Sequence, residues 1–403
     1  MKILFVCQYF YPEQFRVNDI CFQLVKDGHE VTVLTGLPNY PGGVVNKKYR
    51  WFRNQSETIN GVKVIRSWLL GRGNGKVRLG LNYLSFAVVS SIRSLFIKKD
   101  FDNILVYQLS PVTMALPGLL LKKMTKKPLI LYCHDLWPES IASAGISDKS
   151  RLYRGLLKLS RWIYKSADEI WISSRLFKEY FVSKLDINNN ITYLPVYAEG
   201  LFEEIDIEKA TNDTINLVFA GNIGEMQSVE TIINAANELK EINSIKWHIV
   251  GDGSSRRKCE ELAQRLELEN VVFHGHHPIS AMPEFYQMAD AFLVTLKANK
   301  VISYTLPNKV QSYMAASKPI IGAIDGETKL VIEESGCGYC SAAEDYKMLA
   351  ENIRVFISEK DKHIEYGERA KKYYDINFSK GVYMSRLYGL LQKINKSEDV
   401  HDV

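Results

Sequence analysis

This sequence has little that would tie it to an oxidising compartment. Its six cysteines, at 7, 21, 133, 259, 337 and 340, are scattered and form no disulfide-like array, so a reducing cytoplasm is the simplest setting. The opening run Met1–Val6 is too short for a signal h-region, and no small-residue cleavage site follows it; it reads as a strand. The most apolar longer stretch, 104–121, carries Gln108, Ser110, Pro111 and Pro117. It therefore reads as a strand and then a helix, not as a membrane span. No Gly-x-Gly-x-x-Gly follows the first strand, which argues against a nicotinamide dehydrogenase. No nucleic-acid module, short repeat or low-complexity tract stands out, so nucleic acid is not an expected partner.

What is present is two halves of opposite charge. Residues 1–200 hold 28 Lys and Arg against 15 Asp and Glu, and the remainder hold 23 against 31, summing to the net +5. Only the first half is then suited to an anionic partner, a membrane or a pyrophosphate. With 403 residues, two domains are the natural division. Each half alternates strands with amphipathic helices: strands at 2–7, 30–34, 62–66, 103–107, 128–132, 169–172 and 191–195, then at 215–220, 245–250, 271–274, 291–295 and 319–322. That alternation predicts an α/β protein of two doubly wound, Rossmann-like domains facing across a cleft, with ligands at the carboxyl ends of the strands. The expected division is 1–198 for the first domain, 199–376 for the second, and 377–403 for a terminal helix returning to the first.

Four segments could carry chemistry. In Tyr304-Thr305-Leu306-Pro307-Asn308-Lys309-Val310-Gln311-Ser312, Pro307 suits the first turn of a helix whose free N–H groups attract phosphate. Lys309 opposes the helix dipole there, which an anionic ligand would explain; an ordinary surface lysine is the competing reading. Gly221-Asn222-Ile223-Gly224, with Gln227 beyond, follows a strand and opens a helix, as a phosphate-binding turn would. The alternative is a plain tight turn. His134-Asp135-Leu136-Trp137-Pro138-Glu139 concentrates polar groups at a strand end: His134 to bond a sugar hydroxyl or assist a leaving group, Asp135 or Glu139 to orient it. Near the start, Tyr11-Pro12-Glu13-Gln14-Phe15-Arg16 offers Glu13 as a general base or as a helix-capping carboxylate. The loop at 35–43, with Asn39 and Tyr40, could meet an acceptor.

Other features take structural readings. Cys337 and Cys340 have redox spacing but not the position after a first strand that such a site needs. His274, His276 and His277 lack an acidic or cysteine partner for a metal, so His276 reads better as a contact to a nucleotide base. Arg78, Arg93, Lys98 and Lys99 punctuate an apolar segment containing Leu81, Leu84 and Phe96. That segment is either a core-packed helix or a face for an anionic membrane.

On Tyr11-Pro12-Glu13, Leu37-Pro38-Asn39-Tyr40-Pro41, His134–Glu139, Gly221–Gly224 and Pro307-Asn308-Lys309 through Pro319, the chain resembles family-4 glycosyltransferases over nearly its whole length. Within them it is most similar to bacterial L-fucosamine (FucNAc) transferases of O-antigen and capsule assembly. The resemblance implies a GT-B fold and metal-independent transfer without a cofactor. It implies a UDP-sugar donor, UDP-L-FucNAc, and an undecaprenyl-diphosphate-linked sugar as acceptor. The protein would then work in the cytoplasm, peripherally on the inner face of the cell membrane. It implies catalytic roles for Glu13, His134 and Asp135. Donor contacts would come from Gly221, Asn222, Gly224, Gln227, His276, Tyr304, Thr305, Lys309, Gln311 and Ser312, and acceptor contacts from Tyr11, Arg16, Asn39, Tyr40 and Glu139.

The chain also departs from that pattern. Where the family carries two glutamates with seven residues between them, Tyr304 and Ser312 stand here, leaving Ser312 or Gln311 to hold the ribose. Where it carries Arg and Lys in the phosphate turn, Asn222 and Gln227 stand, which shifts the positive charge to Lys309. These departures raise an inverting displacement with Glu13 or Asp135 as base. They also keep two other functions in view, a UDP-sugar 2-epimerase on the same fold and a non-catalytic nucleotide-sugar-binding subunit.

Overall fold

The computed structural model describes all residues except 51–52, 74, 144–145, 189, 206–213 and 400–403, and the side chains of 142–143 and 396–399. The chain divides into two compact units. The first comprises Met1–Ser173, Phe177–Leu194 and the chain from Tyr388; the second comprises Ser174–Leu176 and Pro195–Leu387.

The first unit is built on strands β1 (Lys2–Val6), β2 (Glu30–Gly36), β3 (Ser56–Ile59), β4 (Val62–Ser67), β5 (Asn103–Gln108), β6 (Leu129–Cys133), β7 (Glu169–Ile172) and β8 (Ile191–Tyr193). Their order across the sheet is β3-β4-β2-β1-β5-β6-β7-β8. All neighbours are parallel except β3 and β4. The parallel strands are apolar without alternation because helices cover both faces; every residue of β5 and of β6 is buried. Helix α1 (Arg16–Lys26) packs through Val17, Ile20, Cys21 and Leu24, one apolar stripe of an amphipathic helix. The antiparallel β3, with its Ser-Glu-Thr-Ile sequence and half-exposed pattern, has no sustained apolar period and is not among the predicted strands.

The second unit holds β9 (Ile215–Ala220), β10 (Ile245–Val250), β11 (Val271–Gly275), β12 (Ala291–Thr295), β13 (Ile320–Ala323) and β14 (Gly338–Ser341), ordered β11-β10-β9-β12-β13-β14 and all parallel. Cys340 lies on β14 and Cys337 just before it; burial pushes their thiols up to about 12 and about 11, which suits packing rather than redox chemistry. The helices Glu327–Ser335, Tyr346–Ser358 and His363–Asn377 also belong to this unit.

Both sheets reverse direction beside their first strand. The chain moves outward from β1 through β2 to β4, then returns to β5; from β9 it goes to β10 and β11, then returns to β12. Such a switch point leaves a crevice at the carboxyl ends of the strands, because the helices on either side depart to opposite faces. Among the described residues no helix is long and apolar enough to cross a membrane.

Candidate functional site

In the first unit the predicted segments come together. The loops after β2, β1, β5 and β6, four adjacent strands, carry Asn39 and Tyr40, Glu13, Ser110, and His134 with Asp135 respectively. Each loop contains a cis prolyl bond: Tyr40–Pro41, Tyr11–Pro12, Ser110–Pro111 and Trp137–Pro138.

Glu13 is buried, and its Oε1 accepts from the backbone N–H of Asn39 at 2.7 Å and of Tyr40 at 2.6 Å. Burial raises its carboxyl to about 7, against the opposing pull of those N–H groups and of Phe10. Its own backbone is fixed as well, since Asn18 donates to the Glu13 carbonyl at 2.6 Å. A carboxyl titrating near neutrality can hold or release a proton at working pH. It also ties the β1 loop to the β2 loop.

His134 packs against the rings of both Tyr107 and Tyr132, each 4.0 Å away between centroids. Burial lowers its imidazole to about 3, and Nε2 is buried without a hydrogen-bond partner. It is therefore a neutral ring at pH 7, fit to exchange a hydrogen bond with a hydroxyl but not to deliver a proton. Asp135 is held by hydroxyls: Ser110 donates to its Oδ2, and Ser110 and Ser140 are themselves 2.8 Å apart. Burial raises its carboxyl above the ordinary value.

The acceptor residues divide. Tyr11 and Tyr40 are exposed, and the Arg72 guanidinium sits 5.4 Å from the Tyr40 ring centre. Arg16 opens α1 beside Tyr107, whose hydroxyl burial holds well above its ordinary range against the pull of the Arg16 guanidinium. Two expected acceptor contacts turn inward instead. Asn39 is buried, donating to Leu37 O at 3.0 Å and accepting from Arg72 N at 3.0 Å and Asn82 Nδ2 at 3.3 Å. Glu139 is buried, accepting from the Tyr153 hydroxyl at 2.5 Å and pairing with Lys184 at 3.2 Å. Both satisfy buried partners, which is what burial of a polar group requires.

In the second unit the turn after β9 meets the helix Asn308–Ala315. Gly221 has φ +145°, and a Cβ there would stand 2.8 Å from Lys309 Nζ. The Lys309 ammonium lies 3.9 Å over the Phe219 ring and donates to Gln227 Oε1 at 2.9 Å. Among the described residues no carboxylate pairs with it, and burial lowers its pKa to about 7. The Gln227 carbonyl is pinned by Thr295 Oγ1, at 2.6 Å, from the end of β12, so the cluster sits at the switch point. Tyr313 clamps the same turn, its hydroxyl donating to Ala220 O at 2.9 Å and accepting from Ala220 N at 3.0 Å. Asn222 lies against the β10 turn, where a Cβ on Gly253 would come within 2.7 Å of its Oδ1, and a Cβ on Gly224 would stand 2.6 Å from its Nδ2.

Pro307 caps this helix from outside with ψ 133°, one position before the predicted first turn. Val310 N–H donates to Pro307 O at 2.9 Å, which leaves the N–H groups of Asn308 and Lys309 without an intrahelical acceptor. Thr305 donates its N–H to Ile302. Tyr304 is buried, its carbonyl accepting from Ser174 Oγ. His276 is exposed just past β11, while His274 is bonded to His248 at 2.9 Å. Gln311 is buried, its amide turned so that the nitrogen donates to Pro307 and Asn308 carbonyls at 3.1 Å. It serves the helix, leaving Ser312 as the remaining predicted ribose contact. Ser312 Oγ stands 3.4 Å from Glu199 Oε2, so a carboxylate missing from position 312 is present beside it, brought from 113 residues away in the chain. No local sequence signal marks Glu199. Among the described residues no three His, Cys, Asp or Glu side chains group as a metal site.

Comparison with known proteins agrees with both halves. The family described as glycosyl transferase 4-like domain matches residues 14–196, and that described as glycosyl transferases group 1 matches residues 202–373. The chain is 25% identical over 375 residues to WcaI of Escherichia coli K12, described as a colanic acid biosynthesis glycosyl transferase, covering 88% of this chain and 91% of that one. Its fold is similar to that of sucrose-phosphate synthase from Thermosynechococcus elongatus (TM-score 0.75, 14% identity, 98% and 99% of the two chains). It is also similar to that of Anabaena HepE, solved with UDP and glucose (TM-score 0.70, 14% identity, 97% and 99%). With two parallel-sheet Rossmann-like units and a glycosyltransferase family matched on each, this chain is a GT-B glycosyltransferase.

Proposed function

We propose that the chain transfers a sugar from a UDP-sugar, UDP-L-FucNAc by its motif resemblance, onto an undecaprenyl-diphosphate-linked sugar during O-antigen or capsule assembly. It would work in the cytoplasm, peripherally on the inner face of the membrane. The observation that carries the donor half is Lys309: a buried ammonium at a glycine turn and a helix start, with an amide and an aromatic face but, among the described residues, no carboxylate for company. A diphosphate supplies the missing negative charge. HepE, of the same fold, was solved with UDP, and the WcaI relative is described as a colanic acid biosynthesis glycosyl transferase.

In this reading Glu13, titrating near 7, takes the proton from the acceptor hydroxyl. That oxygen bonds to the anomeric carbon as the bond to UDP breaks, giving inversion. Lys309 and the helix N–H groups stabilise the departing diphosphate. Neutral His134 bonds a sugar hydroxyl, and Asp135, held by Ser110 and Ser140, positions the loop. The test incubates a panel of UDP-sugars with a lipid-diphosphate GlcNAc acceptor and reads products by mass spectrometry, with NMR of the anomeric proton for stereochemistry. One added sugar is expected. UDP-sugar isomers formed without acceptor would favour a 2-epimerase, and UDP binding without any reaction a non-catalytic subunit.

A further inference from the structure

Helix α2 (Lys76–Ser94) buries one side and carries its longest apolar stripe on the other. Asn82, Phe86, Ala87, Ser90 and Ser94 face the unit's interior. On the opposite face Val77, Leu81, Leu84, Val88, Ile92 and Leu95, the helix's C-cap, are exposed by 41–80%. At 100° per residue these six fall within an arc of about 80° and run for about 27 Å. A soluble surface seldom leaves so continuous an apolar stripe uncovered.

The ends of the stripe are basic. Lys76 and Arg78 lie at its start and Arg93, Lys98 and Lys99 at its finish, and the sequence has no Asp or Glu between Glu57 and Asp100. Lys98 pairs with Asp100 at 2.8 Å, so it counts for less. Just past Leu95, Phe96 is 80% exposed. Two copies of the stripe laid together, parallel or antiparallel, would bring basic end against basic end. An anionic lipid surface accepts both features at once: acyl chains take the leucine, valine and isoleucine side chains, and headgroups take the cations.

We infer that the outer face of α2 seats the first unit on an anionic bilayer, the helix lying in the plane of the interface. This rests on the reading of a lipid-linked acceptor and names the element that would deliver the enzyme to it. The experiment is flotation of the full chain with phosphatidylglycerol-containing and pure phosphatidylcholine vesicles, for the wild type and the double variant Leu84→Glu/Val88→Glu. The expected result is binding to anionic vesicles only, reduced at least tenfold in the variant, with an unchanged thermal midpoint. A Leu84→Trp variant should shift its emission to the blue on the same vesicles.

No binding to either vesicle at low salt, or binding unaffected by the double variant, would overturn the inference. So would a dimer in light scattering that the variant dissolves while vesicles are ignored. Transfer onto a detergent-dispersed acceptor by a chain that binds no vesicle would sink the membrane face and leave the proposed reaction standing. Vesicle binding without transfer would do the reverse.

Discussion

At the scale of single residues, two buried ionisable groups set the expected pH behaviour. Lys309 is held at about 7 by burial, below its ordinary value. Between that point and the ordinary lysine range, the unfolded chain binds the extra proton, so this group's contribution to stability rises with pH across that interval. A bound diphosphate would restore the charge. Titration calorimetry of UDP at pH 8 in buffers of different ionisation enthalpy should therefore show uptake of about one proton. Lys309→Met should abolish that uptake and weaken UDP by roughly ten- to a hundredfold, the scale of a lost charged hydrogen bond. Glu13 has the opposite sign. Its carboxyl is raised to about 7, so the native state holds more protons between the ordinary carboxyl value and 7. Its contribution to stability is present at acid pH and is lost as pH rises through about 7. As a base it should impose a rising limb near pH 7 on the transfer rate. Glu13→Gln should remove that limb and cost at least about a hundredfold in turnover; wild-type turnover in this variant would exclude Glu13 as the base. His134, lowered to about 3, should add no limb between pH 5 and 8.

At the scale of elements, the turns after β9 and β10 are locked together by glycine. Gly251 has φ +137°, and a Cβ there would stand 1.8 Å from Gly221 O. Gly251→Ala should destabilise the second unit by about 1–3 kcal/mol through backbone strain. It should also weaken UDP, because the Gly221 turn must shift away from Lys309. Denaturant unfolding and UDP titration of the same variant separate the two effects. The elements themselves were legible where the apolar period was long: the parallel core strands and α1 follow directly from it. The antiparallel β3 was not, since a four-residue strand half open to solvent leaves no periodic trace. Helix α2 shows another limit. Its apolar residues read equally as core or as an outer face, because periodicity counts side chains and does not say which side is covered.

At the scale of the whole molecule, the charge division separates two kinds of ligand. The basic first half and acidic second half predict that salt acts mainly on the lipid step. Raising salt from about 50 mM to about 500 mM shortens the screening length severalfold. Transfer onto an acceptor in anionic vesicles should fall steeply over that range, while transfer onto a short-chain soluble acceptor should change little. Paired initial-rate measurements check this.

The sequence by itself determined the two Rossmann-like units, through alternating apolar strands and amphipathic helices, because that periodicity is a local property of the chain. It also placed Glu13, His134, Asp135 and the Gly221 turn at strand ends, where polar residues interrupt apolar runs. The tertiary structure alone decided which polar groups are already committed. Asn39, Glu139 and Gln311 resemble ligand contacts in sequence, yet each closes a buried hydrogen bond in the fold. The tertiary structure also brought Glu199 to Ser312 and set Lys309 against the Gly221 turn with, among the described residues, no carboxylate beside it. Desolvation and pairing arise between residues far apart in the chain, so they exist only once the sheets have brought those residues together.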